Sequence, residues 1–134
     1  AHLTLREYAL VESWDVEGNR VASAGLVPPS SESLTHAALY DASPAVRVVL
    51  HVDAPDLWRH ARALGLPVTH ADAANGTPAM ALEARRLYRE GTFASTRVAA
   101  MGGHEDGVLA IGGSAEEAGT ALVAQLARAR AAAW

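Results

Sequence analysis

The segment 46–53, Val-Arg-Val-Val-Leu-His-Val-Asp, constrains the fold more than any other stretch of the chain. Its nearly continuous β-branched run over 46–52 suits a central strand buried on both faces, which requires other elements packed on each side of a sheet. The run ends in His51 and Asp53, and because strand side chains alternate, both point to the same face. An unpaired ionised group inside a protein is strongly disfavoured. A histidine and an acid at the end of a core strand therefore need a compensating partner, and a metal ion is one.

The surrounding pattern alternates strands with helices. Tyr8–Trp14 and Asn19–Ala24 flank Asp15-Val-Glu-Gly18 and read as a hairpin. Pro28-Pro29 breaks the second strand, and Ser30 or Ser31 is placed to cap a helix running to Tyr40 or Asp41. Glu32 and His36, four apart, share one face of that helix. A helix is expected from Pro55 to Leu64, then a brief strand at Leu66–Thr69. The Asn75-Gly-Thr-Pro78 turn opens a helix reaching about Glu90. Thr96–Met101 and Gly107–Ile111 read as strands around the glycine-flanked loop Gly102-Gly-His-Glu-Asp106. Ser114-Ala-Glu-Glu117 reads as a capping box that starts a last helix, and the alanine-rich end up to Trp134 is a helix end or tail. Trp58 and Trp134 fit either contact elements for a partner or side chains folded back on the core. Mixed elements of this kind imply an α/β protein with a mixed, largely antiparallel central sheet covered by helices.

Composition narrows the chemistry. The 134 residues, half of them apolar, fit a single domain, 1–134, with a substantial core. No apolar run is long enough to span a membrane and no signal pattern opens the chain, so a cytoplasmic protein is expected. A net charge of −4 without long charged runs argues against nucleic-acid and membrane partners and leaves small molecules and proteins. Cysteine is absent, which removes disulfides, thiolate metal sites and cysteine nucleophiles. All 11 basic residues are arginine, so a lysine Schiff base is excluded. Carbanion chemistry beside a carbonyl then requires a metal.

Imidazole and carboxylate suit zinc or another first-row divalent ion, and a catalytic site needs three protein ligands. His51 and Asp53 supply two, and His104 in the glycine-flanked loop is the third candidate. Each has a plainer reading. Asp53, just before Ala54-Pro55, fits the cap of the next helix equally well. His51 fits a hydrogen-bonded core histidine, His104 fits an ordinary loop residue, and His70 reads as a solvent-facing turn residue.

The order of three motifs adds to this. Pro29-Ser-Ser-Glu-Ser-Leu-Thr-His36, then 46–53, then Val98-Ala-Ala-Met-Gly-Gly-His-Glu-Asp-Gly-Val-Leu-Ala-Ile-Gly112 with Glu116-Glu-Ala118 resembles the class II aldolase and adducin head domain family over residues 7–130. The resemblance implies a three-layer α/β/α fold with a metal-dependent site at a subunit boundary, in a homo-oligomer that is usually a tetramer. It implies that Glu32 is the acid–base group and that His51 and His104 are two of three histidine ligands. Asp53 stands where the third histidine is expected, giving two histidines and one carboxylate for zinc, or for manganese as the harder alternative. Ser30 and Ser31 match serines that border a substrate phosphate pocket, although both also fit helix caps. His36 and Glu105 are expected in supporting positions, Glu105 as a partner that orients His104. The family's N-terminal segment, with a Gly-Asn-containing loop that holds a phosphate, is expected to be missing.

Two functions follow from the resemblance. One is a metal-dependent lyase acting on a small hydroxy-carbonyl, sugar-like substrate through an enediolate, with Glu32 moving the proton. The other is a non-catalytic, adducin-like binding module whose metal site has decayed.

Overall fold

The computed structural model describes residues 2–132. Trp134 lies outside the described residues. The expected hairpin forms: β1 (Ala9–Asp15) pairs antiparallel with β2 (Arg20–Gly25), Asp15 opposite Arg20, with an irregularity between Val11 and Ser13. Its turn places Asn19 at φ 54, while the Gly18 N–H donates to Asp15 Oδ1 at 3.0 Å. Val16 and Val21 at the tip pack on Leu34, Ala38 and Ala81.

Helix α1 (Ser33–Ala42) starts later than the serine caps suggested. Glu32 occupies the cap position without capping, and Ser30 Oγ instead accepts the Glu32 N–H at 3.1 Å, closing a turn ahead of the helix. Strand β3 (Val48–Asp53) follows, then α2 (Pro55–His60), α3 (Pro78–Arg89), α4 (Phe93–Thr96), β4 (Val98–Ala100), β5 (Gly107–Gly112) and α5 (Ala115–Ala132). Helix α2 is shorter than its apolar spacing suggested. The chain leaves it through turns that end at Gly65, whose φ of 75° is left-handed backbone. The expected strand at 66–69 is a single parallel bridge between Val68 and Ala100. The four-residue α4 had no sequence signal.

The main correction concerns which strand is central. The order is β3-β5-β4, antiparallel throughout, so β3 is an edge strand and β5 is the middle one. All six β5 residues are buried. Strand β3 reads like a central strand because both its faces are apolar for another reason: helices lie on each. Val49, Leu109 and Ile111 join Leu39 of α1, Met80 and Leu87 of α3 and Phe93 of α4 in one cluster. Val108 and Ala110, with Leu50 and Val52, join Leu57 of α2 and Ala129 of α5 in another. Burying a side chain such as Leu57, Leu109 or Phe93, each 0 % exposed, contributes about 1.5–3 kcal/mol. Trp58 is folded back: its Nε1–H donates to the Met101 carbonyl at 2.9 Å and its ring joins the second cluster. Among the described residues no helix is long and apolar enough to cross a membrane.

Candidate metal centre

The register of β3 and β5 builds the site. Asp53 pairs with Gly107 and His51 with Leu109, so the loop that precedes Gly107 must stand over the end of β3. That loop is tightly closed. The His104 N–H donates to Met101 O at 3.1 Å, the Gly107 N–H to His104 O at 2.9 Å and the Met101 N–H to Gly107 O at 2.9 Å. Asp106 takes φ 67, and its carbonyl accepts the Ala54 N–H at 2.8 Å, pinning the loop to the strand.

His51, Asp53 and His104 consequently converge. One ligand atom from each lies within 4.8 Å of the others. His104 Nε2 is 3.8 Å from Asp53 Oδ1, with the imidazole side chain 23 % and the carboxylate 72 % exposed. The two imidazole rings are 5.1 Å apart, tilted by 56°.

Asp53 does not cap α2: Ala54 holds the cap position and no side chain accepts a hydrogen bond there. His51 is not a satisfied core histidine, because its Nε2 is buried without a hydrogen-bond partner, an arrangement that costs free energy unless something occupies the lone pair. His104 is packed against His51. The donor set therefore fits a divalent ion: two imidazoles and one carboxylate at ligand spacing, one nitrogen otherwise unused.

Electrostatics keep these nitrogens available. Burial pushes His51 below the ordinary imidazole range; Glu32 and Asp53 pull the other way, while His104 adds to the lowering. His36, on α1, is held down to about 4, chiefly by burial and then by His51. Its Nε2 is also buried without a partner. Both are neutral near pH 7, the form that can ligate.

Glu32 is 1 % exposed. Its Oε1 accepts the Gly76 N–H at 2.9 Å and its Oε2 the Thr35 hydroxyl at 3.0 Å. Its charge raises the affinity of His51 for a proton. Ser30 and Ser31 are exposed, and the Ser30 hydroxyl is engaged by the Glu32 backbone. Glu105 is exposed and makes no hydrogen bond or ion pair to His104 among the described residues. The acid that meets His104 is Asp53. His70 is a turn residue, its side chain 68 % exposed beside Asp72.

Three supporting residues had escaped notice. Gly76, at φ 70, reaches Glu32 across 44 positions; Asn75-Gly76 signalled a turn but not its target. Thr35 looked like a helix-interior residue. Gly107 admits the His104 ring, since a Cβ there would sit 2.8 Å from two ring carbons.

A family model described as Class II Aldolase and Adducin N-terminal domain matches residues 4–132. No curated protein and no solved structure matches the chain significantly.

Proposed function

Because the chain belongs to the class II aldolase and adducin N-terminal domain family, we propose that it is a metal-dependent, aldolase-like lyase that breaks a carbon–carbon bond beside the carbonyl of a small hydroxy-carbonyl substrate. The observation that carries this reading is the convergence of His51, Asp53 and His104 within 4.8 Å. The resemblance makes zinc the first choice of ion and manganese the second. When bound, such an ion supplies Lewis acidity toward the oxygens of the substrate. The chain's own residues do the rest. His51 and His104 present ring nitrogens to the ion, Asp53 lowers the charge of the centre, and Glu32 moves the proton. Ser30 and Ser31, exposed at the turn before α1, are placed for substrate hydroxyls or a phosphate. Helices on both faces of the three-stranded sheet support the three-layer α/β/α arrangement, and we treat the chain as one domain.

A second reading, an adducin-like binding module, is favoured by one observation. Glu32 is buried, with each carboxylate oxygen holding one donor from Gly76 or Thr35, so the carboxylate must be uncovered before it can meet a substrate. The deciding experiment is elemental analysis of protein purified without a histidine tag or added metal. One equivalent of zinc or manganese per chain is expected for the enzyme, and none for the module.

We also propose self-association. Leu5, Leu10 and Leu26 are 90 %, 65 % and 76 % exposed, with Tyr8 also exposed between Leu5 and Leu10 in sequence, and a contiguous apolar patch is usually covered by a partner. Light scattering at micromolar concentration tests this; a strict monomer would refute it.

A further inference from the structure

We propose that the segment Thr69–Gly76 is a strap that fixes Glu32 relative to His104, with Thr69 and Gly76 as the positioning residues at its two ends. Its value to a reaction rests on the roles given above to Glu32 and His104, but the strap itself is a matter of hydrogen bonds and packing.

At one end, Thr69 is fully buried. Its Oγ1 accepts the Gly102 N–H at 2.8 Å, and its own N–H donates to the Ala100 carbonyl at 3.0 Å. The loop that carries His104 is seated directly on the strap: a Cβ at Gly102 would strike the Thr69 carbonyl oxygen, and one at Gly103 the Ala73 carbonyl oxygen. His104 is the next residue.

At the other end, the Gly76 N–H holds Glu32 Oε1 at 2.9 Å from a left-handed conformation that suits glycine. The stretch between has little slack. The His70 N–H donates to Glu83 Oε2 at 2.8 Å, Ala73 is buried with its N–H on His70 O at 3.1 Å, and Ala74 O accepts the Thr77 hydroxyl at 2.6 Å. Thr77 also caps α3 by accepting the Met80 N–H. A short segment tied at both ends and in the middle opens as one cooperative unit. The acid–base carboxylate and the ligand loop therefore share one piece of backbone. Reactive groups must be held to about 0.5 Å for productive chemistry, and one shared support holds them better than two independent loops.

Native-state hydrogen exchange on the metal-free wild type is the first test. The Ala73, Gly76 and Gly102 amides are expected to open with one common free energy and one common dependence on denaturant. Gly76 opening independently of Gly102 overturns the strap. The second test compares Thr69→Val, which removes the hydroxyl but keeps the shape, with Thr69→Ser, which keeps the hydroxyl. Loss of one hydrogen bond is expected to speed Gly76 exchange up to roughly tenfold in Thr69→Val, with wild-type rates in Thr69→Ser and unchanged protection in β5. Equal rates at Gly76 in the two variants overturn the proposal. If Thr69→Val does not fold, the wild-type exchange decides alone. Zinc titration of the same proteins separates the strap from the proposed function. Thr69-dependent exchange at Gly76 without zinc uptake supports the strap and removes that function. Zinc uptake with Gly76 indifferent to Thr69 overturns the strap and leaves the function standing.

Discussion

His104 Nε2 and Asp53 Oδ1 stand 3.8 Å apart across the loop that joins β4 to β5, close enough to share an ion with His51 and too far for a hydrogen bond. Asp53 is 72 % exposed, so changing it leaves folding stability within about 0.5 kcal/mol. Its effect should fall on the metal. We predict that Asp53→Ala weakens zinc binding by on the order of 100-fold, and that Asp53→His tightens it by supplying a third imidazole. Competition titration against a chromophoric chelator reads both. No gain in Asp53→His would place the carboxylate outside the ligand set.

Gly107 and His104 give a prediction in which affinity and stability separate. A Cβ at Gly107 would meet the His104 ring at 2.8 Å, a contact the ring relieves by turning away. Because Gly107 has no left-handed φ, alanine suits its backbone conformation, and the remaining contact is with the His104 carbonyl oxygen at 3.1 Å. Gly107→Ala is expected to lower zinc affinity about 10-fold or more while costing roughly 1–2 kcal/mol of stability. A loss of stability with unchanged affinity would mean that the His104 ring orientation is irrelevant to the site.

How much of this was legible in the sequence depends on the range of the interaction. The hairpin around Gly18 and Asn19, the Pro78 helix start and the convergence of His51, Asp53 and His104 rest on local turn chemistry, alternation and motif order, and these the residues announce. The identity of the middle strand was not legible. An edge strand covered by helices on both faces and a fully buried central strand have the same apolar run, and only the pairing partners of β5 distinguish them. The α1 start was missed because Ser30, read as a cap, closes a turn on the Glu32 N–H ahead of the helix, while the Glu32 carboxylate at the cap position is drawn to Gly76 and Thr35. No pattern within a few residues reports a bond across 44 positions. The Ser114-to-Glu117 signal was half right. Ser114 Oγ accepts the Glu117 N–H, but Glu117 turns to the Gly113 N–H and to Arg97.

His36 predicts how stability varies with pH. Its folded pKa of about 4, set mainly by burial and next by His51, lies below the ordinary imidazole value of about 6.5. The unfolded chain therefore binds a proton more readily between these values. Above about pH 6.5 both states are neutral and His36 adds no pH dependence. As pH falls from about 6.5 toward 4, the folded state loses up to about 3 kcal/mol relative to the unfolded one. His51, also lowered, acts in the same direction. Urea unfolding at pH 7 and pH 4.5 should show this drop, and His36→Gln should make it shallower. An unchanged slope in His36→Gln would show that His36 does not stay neutral in the fold.

Glu32 allows the two functional readings to be separated by a pair of substitutions. Glu32→Gln keeps the size and an oxygen for the Gly76 N–H, and the Thr35 hydroxyl can rotate to accept from the new amide. It should cost at most about 1 kcal/mol and leave zinc binding intact. Glu32→Ala strands the half-buried Gly76 N–H and the buried Thr35 hydroxyl and leaves a void, so a loss of about 2–4 kcal/mol is expected. Those stability effects follow from the hydrogen bonds alone and hold for enzyme and module alike. The distinguishing measurement is exchange of the carbon-bound protons of dihydroxyacetone into deuterated water, followed by NMR with zinc-supplied protein. If Glu32 moves the proton, the wild type accelerates exchange and Glu32→Gln loses at least about 100-fold of that acceleration, at unchanged zinc affinity. Equal exchange in the two proteins would leave Glu32 as a structural anchor for Gly76 and favour the binding module.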